Sequence, residues 1–558
     1  MRKEKSKTLF INAGILPGNG PRLQDDAMLV ENGRISRFGR GADLCRDLPG
    51  DVRVIDCGGK SLVPGFIDAH NHMTLLGASL RASKFHYPAV SCIEDVVEVV
   101  KTAAQAKPAG EWIRGWGLDY GKFPGAKPPT RWDIDEVSPD HPVCIVHYTG
   151  HYVLVNSKAL EMAGIDDTVA DPKGGRFIRD HRGRITGLAQ DAAQQMVVPT
   201  SVNVAHHGPD IGYDTPEAEL VGDIECASRA LLEAGVTTVV DPQVTTREMT
   251  GLVAAQHQDK LGVRTVAMYL SNHLDAQLEM GIDKPFGNGM LSIGPVKFYC
   301  DGAIVGGSAA FTEPLNNRTD NYSGSLYWED TEALKQALGR THASGLQFGI
   351  HTQGDRAHDI VLNRVKAFLD DHPREDHRHR LEHSGYPRPD QVEKMAEYGL
   401  IPITQPGQLR EAGDNLVDNY GRDRATRIYP LREFLDNGIP AVISSDAFVQ
   451  SYKPLDTIRG AVERISIKGE DMGQKQRISM EEALTCHTYN AAFSFFQEKE
   501  IGSLESGKLA DVVLLNGDLF STAPESLGDL GVELTMLGGE IVYQRENETP
   551  AGQKENVK

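Results

Sequence analysis

Two histidines, His70 and His72, stand one residue apart at the end of the apolar run LVPGFIDAHNHM, residues 62–73. Pro64 and Gly65 punctuate its start, Phe66 and Ile67 fit a buried strand, and strand side chains two apart face the same way. Both imidazoles then reach one point, which suits a divalent metal such as zinc. The alternative is a polar strand end that meets water. Four more polar residues sit in or at the ends of apolar segments: Lys297 in VKFYCDG, His351 in LQFGIHTQGD, His383 in HRLEHSG and Asp446 in AVISSDA. Lys297 needs separate chemistry, because an ammonium has donors only and cannot bind a cation. It either pairs with an acid or, as a neutral, partly desolvated amine, adds carbon dioxide. The resulting carbamate, an N6-carboxylated lysine, has two oxygens able to bridge two metal ions.

The segments that carry these residues alternate with helical stretches. After the strand that leads to His70 come TTVVDPQV (237–244), RTVAMYLS (264–271), VKFYCDG (296–302), LQFGIHTQGD (346–355), HRLEHSG (379–385), IPITQPG (401–407) and AVISSDA (441–447). Helical patterns such as DTEALKQALGRTHASG and RPDQVEKMAEYG separate several of them, each closed by glycine. Eight strands in βα alternation predict an α/β fold, a closed (β/α)8 TIM-type barrel in which the strand ends converge on one catalytic face. A doubly wound open sheet is the rival, but no G-x-G-x-x-G turn follows the first strand. The stretch from about residue 74 to 236 is too long for a loop and predicts a cap over the barrel mouth. Gly-punctuated strands at both termini, with an Asn-Gly hairpin signal in ENGRI, predict one small β domain. The expected organisation is therefore 1–63 plus 494–545 as the β domain, 64–493 as the barrel with its cap, and 546–558 as a disordered polar tail.

Composition narrows the function. Of 558 residues, 40% are hydrophobic and 24% charged, ordinary for a soluble globular chain. Lys and Arg total 58 against 78 Asp and Glu, and the net charge of −20 argues against nucleic acid or an anionic membrane as partner. Seven cysteines without a C-x-x-C pair fit a reducing compartment. The N-terminal MRKEKSKTLFINAGIL lacks the apolar stretch of a signal peptide, and no segment approaches a membrane-spanning length. These features predict a cytoplasmic, enzyme-like protein.

The motifs PGFIDAHNH, VKFYCDGA, HTQGDRA, RLEHSG, VISSDA and GSLESGKLADVVLL, in that order, resemble the amidohydrolase superfamily. The resemblance is specifically to its long-chain branch (amidohydrolase family 3), which includes N-substituted formamide deformylases. It implies a (β/α)8 barrel with a small β-sandwich, a small-molecule substrate and a homo-oligomer, expected as a dimer. It also implies that His70, His72 and Asp446 hold one metal, and that carboxylated Lys297 bridges to a second held by His351 and His383. Zn2+ is the expected ion, one or two per chain. A metal lowers the pKa of water toward about 7. The expected reaction is hydroxide attack on an amide-like carbonyl, with Asp446 as the catalytic base that passes the proton to the leaving nitrogen. Ester or lactone hydrolysis, and lyase or decarboxylase chemistry on the same barrel, are the alternatives. Substrate contacts are expected from His151, which matches a Gly-His motif of the family, and from Trp116, Asp301 and Gly302. Two departures, Gly307 where many relatives carry arginine and LAQDAA where relatives often have a glutamate, leave formamides unassigned as substrates.

Overall fold

The computed structural model describes residues 7–47, 52–148, 150, 152–172, 175–198, 205–209, 214–328 and 330–545. The tail expected at 546–558 lies outside the described residues. At the centre is a nearly closed, eight-stranded parallel barrel whose strands follow chain order. They are β1 (Phe66–Asp68), β2 (Val236–Val244), β3 (Arg264–Leu270), β4 (Leu291–Tyr299), β5 (Phe348–Thr352), β6 (Arg380–His383), β7 (Ile401–Thr404) and β8 (Val442–Ile443). Each matches one of the eight apolar runs read from the sequence.

Ladder pairing runs from β1 to β8, and the ring is completed just beyond the last strand. The Asp446 N–H donates to the His70 carbonyl (2.8 Å) and the His72 N–H to the Ala447 carbonyl (2.8 Å). Asp68, in β1, reinforces this seam by accepting from the Ser445 N–H (2.9 Å) and the Asn71 side-chain amide (2.9 Å). The segments that carry His70, His72 and Asp446 are thereby held in one register.

Alternation along the strands separates two apolar layers, because successive side chains point to opposite faces. Val239, Ala267 and Ile443 join a cluster with helical residues such as Leu231, Leu252 and Leu334. Their neighbours Val240, Met268 and Val442 meet one another and Ala491, Ala492 and Phe495. The helices start and stop where local chemistry directs. Asp330 accepts from the Glu332 and Ala333 N–H groups at the start of the helix Thr331–Ala343, and Gly345 takes φ +88° beyond its end. Gly399, at φ +64°, follows the helix Pro389–Glu397 in the same way.

Between β1 and β2 the chain forms the helix Met73–Arg81, then a six-stranded sheet from strands between Ser83–Lys84 and Ile185–Asp191, then the helix Glu217–Glu233 packed against the first. Within that sheet, Gly175–Arg179 and Ile185–Asp191 pair as an antiparallel hairpin. Near the termini, Val512–Leu515 pairs antiparallel with Ser61–Pro64, so strands from the two chain ends share a five-stranded sheet. A four-stranded sheet from residues 7–56 faces it across a core that includes Phe10, Met28, Leu62 and Leu514. Asn32 and Gly33 turn the ENGRI hairpin at φ +55° and +80°, the left-handed conformation such a two-residue turn requires.

Candidate metal centre

The six polar residues singled out in the sequence lie at or near the carboxyl ends of β1, β4, β5, β6 and β8 and are buried, none more than 8% exposed. His70, His383 and Asp446 each direct one ligand atom to a point where all three lie within 4.8 Å of one another. Asp446 Oδ1 is 3.5 Å from His70 Nε2 and 3.4 Å from His72 Nε2. The His351 and His383 rings are 4.3 Å apart, and His70 and His383 are 4.7 Å apart. His383 and Asp446 take φ +70° and +56°, a strained conformation held by the surrounding contacts.

Hydrogen bonds behind the rings fix which nitrogen faces the centre. Glu382 Oε2 lies 2.6 Å from His70 Nδ1; a carboxylate accepts, so Nδ1 carries the proton and Nε2 presents its lone pair. Gln405 donates its amide to Ser444 Oγ (3.0 Å) and the Ile403 carbonyl (3.2 Å), so its Oε1 accepts from His383 Nδ1 (2.9 Å) and frees that ring's Nε2. The Gly302 carbonyl, 3.1 Å from His351 Nε2, places the proton there and leaves Nδ1 as the lone-pair nitrogen. His70 Nε2 is buried without a hydrogen-bond partner among the described residues. Burial, with the charge of Lys297 adding to it, pushes the His70 pKa well below the ordinary value and keeps the ring neutral. Burial, with His351 beside it, does the same for His383. Neutral imidazoles, a carboxylate and an orphaned lone pair directed to one point form a donor set that fits a divalent cation.

Lys297 projects from β4 next to Gly349 of β5 and is fully buried. Its Nζ has no hydrogen-bond partner among the described residues and lies 4.5 Å above the centre of the Tyr299 ring, which stacks on His351. Burial lowers its pKa to about 8, against the pull of Glu382 and Asp446. A neutral amine is therefore accessible near neutrality, as carbon dioxide capture requires.

The sequence profile of the amidohydrolase family matches residues 53–543. This chain belongs to the amidohydrolase family. It is 31% identical over 551 residues to Protein LONG AFTER FAR-RED 3 of Arabidopsis thaliana, covering 96% of this chain and 91% of that protein. To the N-substituted formamide deformylase of Arthrobacter pascens it is 26% identical over 547 residues, covering 96% and 98%. Among solved structures, an uncharacterized metal-dependent hydrolase from Pyrococcus furiosus superposes with a TM-score of 0.73 at 25% identity, covering 92% of this chain and all of that one.

The amidohydrolase centre opens into a cavity of about 1750 Å3, whose lining includes His72, His351, His383 and Asp446. Trp116, from the inserted sheet, also lines it and packs edge-on against Phe448 at 4.3 Å. Gly302 lines the cavity, and its carbonyl orients His351. Asp301 is fully buried and spends its carboxylate on the backbone N–H groups of Ala310, Gln353 and Gly354 (2.8–2.9 Å). It shapes the loops beyond β4 and β5, and burial raises its pKa to about 7. His151 lies outside the described residues.

Sequence reasoning missed Arg380, which donates to both Glu382 oxygens (2.8 and 3.0 Å) and to the Ala69 carbonyl (2.6 Å). A buried arginine two residues before a buried glutamate on one strand face was the available signal. Gln405 carried no comparable signal, because its role depends on a contact with His383 from another strand.

Proposed function

We propose that this amidohydrolase is a metal-dependent hydrolase that cleaves an amide-like C–N bond of a small molecule, with His70, His72, Lys297, His351, His383 and Asp446 holding one or two divalent ions. The observation that carries this reading is the convergence of lone pairs. His70 Nε2 has no hydrogen-bond partner among the described residues, His383 and Asp446 reach the same point, and the last two line one large cavity. Zinc suits the nitrogen-rich donors, and carboxylation of Lys297 would turn an orphaned amine into a bridging carboxylate. A bound ion of this kind supplies Lewis acidity, lowering the pKa of water and attracting negative charge that develops on a carbonyl oxygen.

The chain's own residues do the rest. Asp446, between the His70 and His72 imidazoles, accepts a proton from the nucleophilic water and returns it to the departing nitrogen. Glu382, backed by Arg380, holds His70 in one tautomer, and Gln405 does so for His383. Trp116 and Phe448 wall the cavity with apolar surface, which excludes water around the reacting bond.

The test is a screen of N-formyl, N-acyl, carbamate and ester compounds with amine or alcohol release as readout, on metal-analysed protein. Amine release supports the reading. Alcohol release alone would assign an esterase, and carbon dioxide without amine would assign a lyase. Intact-mass analysis under native conditions should show one added carbon dioxide, absent from Lys297→Met.

A further inference from the structure

Two histidines of the proposed centre, His351 and His383, come from neighbouring strands, and the loops that follow them are joined by a side chain the chemistry does not use. His358 lies at the end of the first turn of the helix Asp355–Asp371, just beyond β5 and its loop, and is fully buried. Its Nδ1 is 2.8 Å from the Gly354 carbonyl, which can only accept, so Nδ1 carries the proton. Nε2 of the neutral ring then presents a lone pair, and Ser384 Oγ, 3.1 Å away and itself fully buried, donates to it. Burial lowers the His358 pKa to about 4, which keeps the ring in that form. Met395 Sδ, 4.0 Å from the hydroxyl, is the weaker acceptor.

Ser384 immediately follows His383. The two take φ +46° and +70°, in the left-handed region that residues with a Cβ seldom occupy. Neither is a glycine, so contacts must hold the backbone there. The Gly354 end of the connection is fixed in turn. Its N–H donates to Asp301 (2.9 Å), and the Gln353 carbonyl just before it accepts from the Tyr386 N–H (2.7 Å). The loop three residues beyond His351 therefore supports, through His358, the residue next to His383. A serine hydroxyl against an imidazole is also the arrangement of an activated nucleophile. Here both groups are fully buried and neither lines the cavity, so no substrate reaches the pair.

Resting on the metal-dependent reading above, we infer that the His358–Ser384 pair holds the left-handed backbone at Ser384 and thereby aims His383, making both positioning residues for the ion that His351 and His383 would share. The hydrogen bond does at position 384 what a glycine would do without one. That gives the role a signature: loss of the hydroxyl should harm the site when alanine replaces it and spare the site when glycine does.

Full-length Ser384→Ala, Ser384→Gly and His358→Leu would be compared with the parent by zinc competition against a chromophoric chelator, with Tm measured in parallel. Ser384→Ala and His358→Leu should bind zinc about 10–100-fold more weakly, and Ser384→Gly within about threefold of the parent. Adding Ser384→Gly to His358→Leu should recover most of the loss. Thr535→Val, which removes the hydroxyl hydrogen bond to the Leu232 carbonyl at the other end of the barrel, is the control: it should lower Tm and leave zinc affinity unchanged. Equal weakening by alanine and glycine at position 384, or parent-like affinity in both Ser384→Ala and His358→Leu, would overturn the inference. Should the parent bind no zinc, the metal reading falls, and crystals of the metal-free variants still decide the positioning role. The 2.9 Å contact of His383 Nδ1 with Gln405 is then expected to be lost in Ser384→Ala and kept in Ser384→Gly; its survival in both would overturn that role.

Discussion

Asp446 combines two properties that rarely coincide: its carboxylate is nearly buried, yet it lies within 3.5 Å of two imidazole nitrogens. Replacing one oxygen by an amide keeps the volume but removes the base. Asp446→Asn should lower kcat by about 10²-fold or more while circular dichroism and Tm stay close to the parent. Glu382 acts one layer back. Glu382→Gln removes the charge that fixes the His70 tautomer and should weaken metal binding about 10–100-fold, read by competition with a chromophoric chelator. Because Arg380 would lose its carboxylate partner in a fully buried setting, the same variant should also lose about 3–5 kcal/mol of stability. The ligand candidates were legible in the sequence because each lies in or closes a short apolar run that reads as a barrel strand. Glu382 could be read as a strand residue that orients a ligand, but its partner could not, since it meets His70 across 312 positions; Gln405 gave no local sign of its role.

Register does at the element scale what hydrogen bonds do at the residue scale. Lys297 sits beside Gly349, and His351 beside Glu382, so β4, β5 and β6 deliver their polar groups in step. Gly349 is needed there: a Cβ would come within 2.3 Å of both Glu382 Oε1 and Met268 Cε. Gly349→Ala should therefore cost about 1–3 kcal/mol and, by displacing Glu382, weaken metal binding in the same assay. Normal stability with normal metal affinity would show that Glu382 moves freely and does not set the His70 geometry. All eight barrel strands could be read from runs of β-branched and aromatic residues, and two of the helices between them, Thr331–Ala343 and Pro389–Glu397, from periodic patterns closed by glycine. The order of the inserted sheet could not, because its strands pair out of chain sequence and the run RGWGLD shows no alternation that would distinguish a strand from a Gly-rich loop.

Across the whole molecule, the sheet built from both chain ends is tied to the barrel by a few specific contacts. Arg264, at the start of β3, pairs with Asp511 through two hydrogen bonds (2.8 and 3.1 Å), with the aspartate side chain 4% exposed. Thr535 Oγ1 donates to the Leu232 carbonyl (2.7 Å). Asp511→Ala strands a mostly buried guanidinium and should cost about 3 kcal/mol, seen as a lower Tm, with kcat/KM retained because the pair lies at the amino end of its strand. The central claim concerns the other end of the barrel, where the six side chains are proposed to hold one or two divalent ions. Its most direct test is chelation of the purified protein followed by elemental analysis and an amide-hydrolysis assay, before and after zinc is restored. The account predicts loss of metal and activity together and recovery of both. Full activity in protein shown to be free of metal would contradict it.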